Sequence, residues 1–287
     1  MNPYHQFVSE FERLVRGGRQ LPLGGFAALP RPAVATDAPR ALIFSPHPDD
    51  ECIIGGMALR LQREAGMRVV NVAVTQGSNK ARQEARWQEL DAACAFLGFD
   101  LLATVPGGLE KINPRTREAD PAHWAAAVDV IARILEEQQP RVVFFPHDRD
   151  WNTTHVGTHH LLVDALGRQP SGFECDVVET EFWGAMATPN LMVESSSVDL
   201  ADMLAALSFH VGEVQRNPYH LLVPAWMLDN VRWGAELVGG QGGAAPDFTY
   251  CTLYRLRRWS GGRLESVLST GRSIGADRHI GDAFAVS

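Results

Sequence analysis

The sequence predicts a Rossmann-like α/β fold, in which a doubly wound, mostly parallel sheet carries helices on both faces and ends in a C-terminal α+β appendage. Three observations lead there. Apolar runs at 41–44, 67–74, 101–103 and 141–146 alternate with stretches whose apolar residues recur at helical spacing, the order that produces right-handed crossovers and parallel pairing. These runs are rich in Val, Ile, Leu and Phe with little polar alternation, so both of their faces should be buried, as in a parallel sheet. Two of them, at 41–46 and 141–146, stop at Pro-His followed by acids, and open α/β sheets place their sites just past the carboxyl ends of strands.

The elements follow in order. Tyr4, Phe7, Val8, Phe11, Leu14 and Val15 recur at helical spacing and give an N-terminal helix. Gly17-Gly18 and the Pro-rich stretch 30–39 turn the chain into an arm. After the first strand, a helix over 58–65 stops at Gly66, a strand covers 67–75, and Gln76-Gly77-Ser78-Asn79 is a polar loop at its carboxyl end. A helix over 83–97 stops at Gly98, a short strand covers 101–103, and residues 105–119 lack any period and read as a surface excursion. Residues 121–138 form a helix, 141–146 a strand, and a further helix opens near 153. Beyond 176 the pattern changes to strands at 176–182, 191–193 and 248–256 and helices at 198–214 and 224–237, with a Gly-rich loop at 239–246 and an irregular tail from Ser260. No linker-like tract divides the chain, so it is expected to be one domain over 1–287: helix and arm at 1–39, core at 40–170, appendage at 171–287.

Composition narrows the function. A net charge of −8 argues against broad nucleic-acid or anionic-membrane binding, both of which need concentrated Lys and Arg. The N-terminal residues hold charges throughout, with neither a signal peptide nor a membrane span, so a cytoplasmic location is the default. Cys52, Cys94, Cys175 and Cys251 lack C-x-x-C spacing and read as reduced packing residues. The G-x-G-x-x-G fingerprint does not follow the first strand, which leaves a dinucleotide-binding oxidoreductase without support.

What remains is the chemistry at two strand ends. His47-Pro48-Asp49-Asp50-Glu51 follows the first strand, and His147-Asp148-Arg149-Asp150-Trp151-Asn152-Thr153-Thr154-His155 follows the fourth, with His159 and His160 beyond. In a parallel sheet both loops open on the same edge, so their imidazoles and carboxylates can converge. About three such ligands hold a zinc-like ion and leave one position for water, whose pKa falls from about 15.7 to about 7 when zinc binds it. One of the two adjacent aspartates would bind and the other would take the water's proton. Spacing alone does not say which.

Pro46-His47-Pro48-Asp49-Asp50-Glu51 with the later Asn152-Thr153-Thr154-His155 resembles the PIG-L, or LmbE-like, family of zinc-dependent N-deacetylases. The resemblance extends through Thr75-Gln76-Gly77 and Arg86-Trp87-Gln88-Glu89 with Leu97-Gly98, and on to Pro189-Asn190 and Ala206 to His210. It implies His47, Asp50 and His155 as metal ligands, Asp49 as general base, Arg86 near the substrate, and Zn2+ as the ion, with another divalent metal such as Fe2+ as the alternative. It also implies an amino sugar or amino-sugar conjugate as substrate, and self-association into a homo-oligomer. Asn152 departs from the family pattern, which commonly has histidine there. An asparagine can donate to an oxyanion but carries no proton at neutral pH, so the acid role passes to Asp49 after it takes the water proton, or to His210. Asp150 is the acid expected to orient a ligand imidazole. Trp151 and Trp183 are candidates to stack on a sugar face. The alternatives are an amidase acting on a larger amide of a glucosaminyl conjugate, and a carbohydrate-binding relative without turnover.

Overall fold

A computed structural model describes residues 2–30 and 33–285; positions 31 and 32 of the expected arm lie outside the described residues. The chain runs α1 (Tyr4–Gly18), β1 (Arg40–Ser45), α2 (Asp50–Ile53), α3 (Met57–Ala65), β2 (Arg68–Ala73), α4 (Gln83–Leu97) and β3 (Asp100–Ala103). It continues through α5 (Pro114–Ala119), α6 (Pro121–Gln138), β4 (Val142–Pro146), α7 (Thr153–Leu166), β5 (Cys175–Thr180) and β6 (Leu191–Glu194). Last come α8 (Ser197–Leu207), α9 (Val211–Val214), α10 (Val223–Leu237), β7 (Cys251–Ser260), β8 (Arg263–Ser266) and β9 (Arg272–Ile274), with short 3-10 turns between some of them.

One mixed sheet holds the strands in the order β3-β2-β1-β4-β5-β7-β6-β9, with β8 paired to β7. β3, β2, β1, β4 and β5 are mutually parallel, as expected. β7 runs antiparallel between β5 and β6, so the C-terminal elements prolong the same sheet. Alternate residues of β1 divide the core: Ala41 and Ile43 pack with α3, α4 and α8 on one face, and Leu42 and Phe44 pack with α6 and α7 on the other. All four are at most 1% exposed, which is why the run carries no polar alternation. Helix ends obey local chemistry. Gly66 and Gly98 take positive φ to close α3 and α4, and the Asp120 side chain accepts the His123 N–H with Pro121 opening α6.

Three expectations need correction. The excursion at 105–119 contains α5, started by Asn113 accepting the Thr116 N–H at 2.9 Å. The helix expected over 198–214 is two, because the chain leaves helical geometry at His210 (ψ 58°). The tail after Ser260 is ordered: Gly261-Gly262, both at positive φ, turn β7 into β8, and β9 pairs with β6. Arg60, nearly sealed from solvent, fastens that tail by donating to the carbonyls of Glu194, Gly275 and Arg278 at 3.0, 3.1 and 2.6 Å. No described helix is long and apolar enough to cross a membrane.

Candidate metal centre

β1 and β4 are neighbours, yet the chain leaves β1 toward β2 and leaves β4 toward β5, on opposite sides. This is the topological switch point of the sheet, where loops at the carboxyl ends part and open a crevice. The turn after β1 is tied down on one side by Thr75, whose hydroxyl and backbone N–H both donate to the Pro46 carbonyl, at 2.7 and 3.2 Å. Within it Asp49 has φ 111°, a conformation that costs a non-glycine residue about 1–3 kcal/mol and persists where the surroundings enforce it. On the other side, Asn152 starts α7 by accepting the Thr154 N–H at 2.9 Å, so His155 falls in the first turn of that helix, fully buried.

These turns bring His47, Asp50 and His155 together. His47 Nδ1 lies 3.2 Å from His155 Nε2, and Asp50 Oδ2 lies 3.3 Å from the first and 3.2 Å from the second. Bonds of about 2.0–2.1 Å at tetrahedral angles set ligand atoms about 3.3 Å apart. The triangle therefore has the size that a tetrahedral divalent cation requires, and the chemistry of two imidazoles and a carboxylate suits one. Asp50 Oδ2 is also held by the His47 backbone N–H at 2.8 Å. Behind His155, Asp150 Oδ2 sits 3.5 Å from Nδ1 and accepts from the backbone N–H groups of Trp183 and Gly184 at 3.2 and 3.4 Å, while Oδ1 accepts the Asn152 N–H at 2.8 Å. Such carboxylates fix the tautomer and angle of a ligand imidazole.

The field at this point calls for positive charge. Burial lowers the basicity of His155, but Asp50 and Asp150 outweigh it and raise its pKa to about 10. Burial opposes ionisation of Asp50 too, and His155 and His47 nonetheless hold it well below the usual carboxylate range. A proton on His155 thus answers the same negative charge that a cation would.

Asp49 stands beside the triangle without joining it. Burial and the neighbouring Asp50 charge raise its pKa to about 7, against the lowering influence of His210, Arg86 and Tyr219. The Tyr219 hydroxyl donates to Asp49 Oδ2 at 2.5 Å, and burial and Asp49 together hold that phenol in its protonated form. Arg86 donates to the Pro48 carbonyl at 2.7 Å and its guanidinium is 3.9 Å from Asp49 Oδ1. Gly77, at φ 78°, makes room for it, since a Cβ there would come within 2.5 Å of Arg86 Nη1.

Several neighbours meet other partners. His210 Nε2 lies 2.7 Å from Glu51 Oε1 in a sealed pocket, and Glu51 Oε2 accepts the Asp49 backbone N–H at 3.0 Å. His210 therefore reaches the turn through Glu51. Cys52 donates to the same carboxylate at 3.0 Å, and burial pushes its thiol well up, away from reactivity. All four cysteines are buried and none is in a disulfide. His147 faces the Gly184 carbonyl at 2.9 Å, and His159 faces the Pro146 carbonyl at 3.0 Å and Glu179 at 3.3 Å, so neither joins the triangle. Trp183 is half-exposed and stands edge-on to Tyr219 with ring centres 5.2 Å apart, whereas Trp151 is largely in solvent. Tyr219 had no sequence signal, because it follows Asn217-Pro218 in a stretch without a period. A cavity of about 450 Å3 opens onto His47 and reaches Arg86 and Thr154.

The fold and this cluster define a class: an α/β protein with a candidate three-ligand cation site at the switch point of its sheet and a further buried carboxylate beside it. In the comparison with family models, residues 42–166 match the model described as PIG-L: GlcNAc-PI de-N-acetylase. The N,N'-diacetylchitobiose deacetylase from Pyrococcus horikoshii is similar with a TM-score of 0.57 at 16% identity, covering 89% of this chain and 93% of that one. A deacetylase of the teicoplanin biosynthesis pathway gives 0.55 at 17%, over 77% and 98%. The 4-carboxy-2-hydroxymuconate hydratase GalB from Pseudomonas putida KT2440 gives 0.57 at 19%, over 76% and 95%. At these identities the likeness is one of fold, which hosts more than one chemistry. No curated protein sequence matches.

Proposed function

We propose that this protein is a metal-dependent hydrolase that removes an acetyl or other small acyl group from the amine of an amino sugar or its conjugate. The observation that carries the reading is the triangle of His47, Asp50 and His155 with Asp49 unbound beside it. A site that only gripped an ion would have no use for a second buried carboxylate at that place. The family match and the deacetylases sharing the fold support the substrate class. Zn2+ is the ion the donor set favours, with Fe2+ as the alternative; when bound it supplies Lewis acidity and makes water acidic enough to ionise near neutral pH.

The residues then divide the work. Tyr219 occupies Asp49 Oδ2, which leaves Oδ1 to take the proton of the attacking water. The Asn152 carbonyl oxygen is spent on the helix cap, so its Nδ2 is the group free to donate to the oxyanion that forms at the acyl carbon. Asp49 returns its proton to the departing amine, and Glu51 and His210 keep the Asp49 turn in place. Arg86 at the cavity wall and the half-exposed Trp183 beside Tyr219 are the candidate contacts for the sugar.

Release of free amine and acetate from N-acetylated sugars, with Asp49→Asn and His47→Ala as controls, tests the reading. Asp49→Asn should lose turnover by about 10²–10⁴-fold and keep its metal, whereas His47→Ala should lose the metal. Turnover in Asp49→Asn equal to wild type would remove Asp49 as the base. Absence of stoichiometric metal together with absence of amine release would leave a sugar-binding protein.

A further inference from the structure

We infer that the substrate carries an anionic group, phosphate or carboxylate, which the cavity beside His47 recognises through Lys80, Lys111 and Arg86; this specifies the substrate class within the deacetylase reading. The chain has 26 Lys and Arg residues and uses arginine almost everywhere; Lys80 and Lys111 are its only lysines. Both line this one cavity. They arrive from different places, Lys80 from the turn that leads into α4 and Lys111 from the segment before α5, so their meeting is a tertiary event. Elsewhere on this acidic protein arginines are consumed by ion pairs, such as Arg63 with Asp199 and Asp202 or Arg258 with Asp176. Lys111 has no ion-pair partner among the described residues.

The chemistry of the wall agrees. Its lining residues include three cations, Lys80, Lys111 and Arg86, against a single carboxylate, Glu110, which pairs with Lys80 at 2.6 Å; Arg86 also lies 3.9 Å from Asp49 and 3.8 Å from Glu213 behind the wall, which leaves Lys111 as the cation not already paired. Gln83, in the first turn of α4, lines the same wall, with its side-chain amide donating to the Gly77 carbonyl at 2.8 Å. Lys111 is held at φ 55°, one of few non-glycine residues on that side of the backbone map, and such strain gathers where a side chain must be aimed. A lysine ammonium on its long stem follows a mobile anion as a point charge, while arginine suits a fixed planar partner. The cavity volume, about 450 Å3, is in the range of small-molecule sites.

Lys80 is 73% exposed, so water and salt screen it and the preference should be moderate. The test compares N-acetylglucosamine, its 1-phosphate and its carboxymethyl glycoside as substrates of wild type and of the Lys80→Met/Lys111→Met variant. At low salt the wild type should favour one of the anionic compounds over the neutral sugar by about tenfold in kcat/KM, or about 1.4 kcal/mol. That ratio should fall toward one in the variant and in high salt. The phosphate and carboxylate arms tell which anion the site takes. Equal kcat/KM for neutral and anionic sugars, or a preference that survives in the variant, would overturn the inference. Calorimetric binding of N-acetylglucosamine 1-phosphate separates this from the deacetylase reading. If no sugar is turned over but the variant binds the phosphate about tenfold more weakly, the anion site stands and the catalytic reading falls. Equal binding by both proteins overturns the anion site whatever the activity.

Discussion

Asp150→Asn probes how much of the metal affinity is built by a residue that does not touch the metal. The Asp150 side chain is sealed from solvent and sits 3.5 Å from Nδ1 of His155. Outer carboxylates of this kind are worth about 10- to 100-fold in metal affinity, or about 1.4–2.7 kcal/mol. The structure points to the upper end. Oδ1 accepts from Asn152, and Oδ2 from Trp183 and Gly184. Whichever way an asparagine turns, its NH2 faces one of these N–H donors, and a buried donor without an acceptor costs about 1–3 kcal/mol. The variant should therefore bind Zn2+ close to 100-fold more weakly, by about the upper value above. Titration of the metal-free protein with Zn2+ against a chromophoric chelator measures this, and far-ultraviolet circular dichroism checks that the fold survives. A dissociation constant within about threefold of wild type would refute the claim that this carboxylate orients the ligand.

Three further outcomes are expected. Tyr219→Phe removes a charge-assisted bond of 2.5 Å to Asp49, so kcat should fall by about 10- to 100-fold with metal content unchanged; an unaltered kcat would show that Asp49 needs no such anchor. Asn152→Ser keeps a capping oxygen for α7, so its melting temperature should stay near that of wild type while kcat drops by about 10²-fold. A drop in stability with kcat intact would reduce Asn152 to a helix cap. Burial raises Glu181 from the usual 4.5 to about 7, so between those pH values the folded state holds a proton that the unfolded state has released, and stability from this group is lost as pH rises. Glu181→Gln removes the effect, and its stability relative to wild type should climb by on the order of 3 kcal/mol from pH 4.5 to 7. Parallel denaturation midpoints across that range would contradict it.

What the sequence by itself determined is everything carried by local pattern. Runs such as Ala41 to Phe44 are buried on both faces and so lack polar alternation, and that alone makes them central parallel strands. Gly66 and Gly98 end their helices through a conformation other residues resist. The Pro-His pairs at the ends of β1 and β4 mark strand tips, and a parallel sheet puts both tips on one edge, so the residue types of the candidate site and their rough meeting place were legible too. Tertiary structure decided which of several equivalent groups does what. Four histidines follow β4, and only the direction of α7 from the Asn152 cap turns His155 toward Asp50 while His159 meets Glu179. The break at His210, Tyr219 on Asp49, and the convergence of Lys80 with Lys111 join segments far apart in the chain. Periodicity records which face of an element is buried, but it holds no information on which distant side chain fills the space opposite.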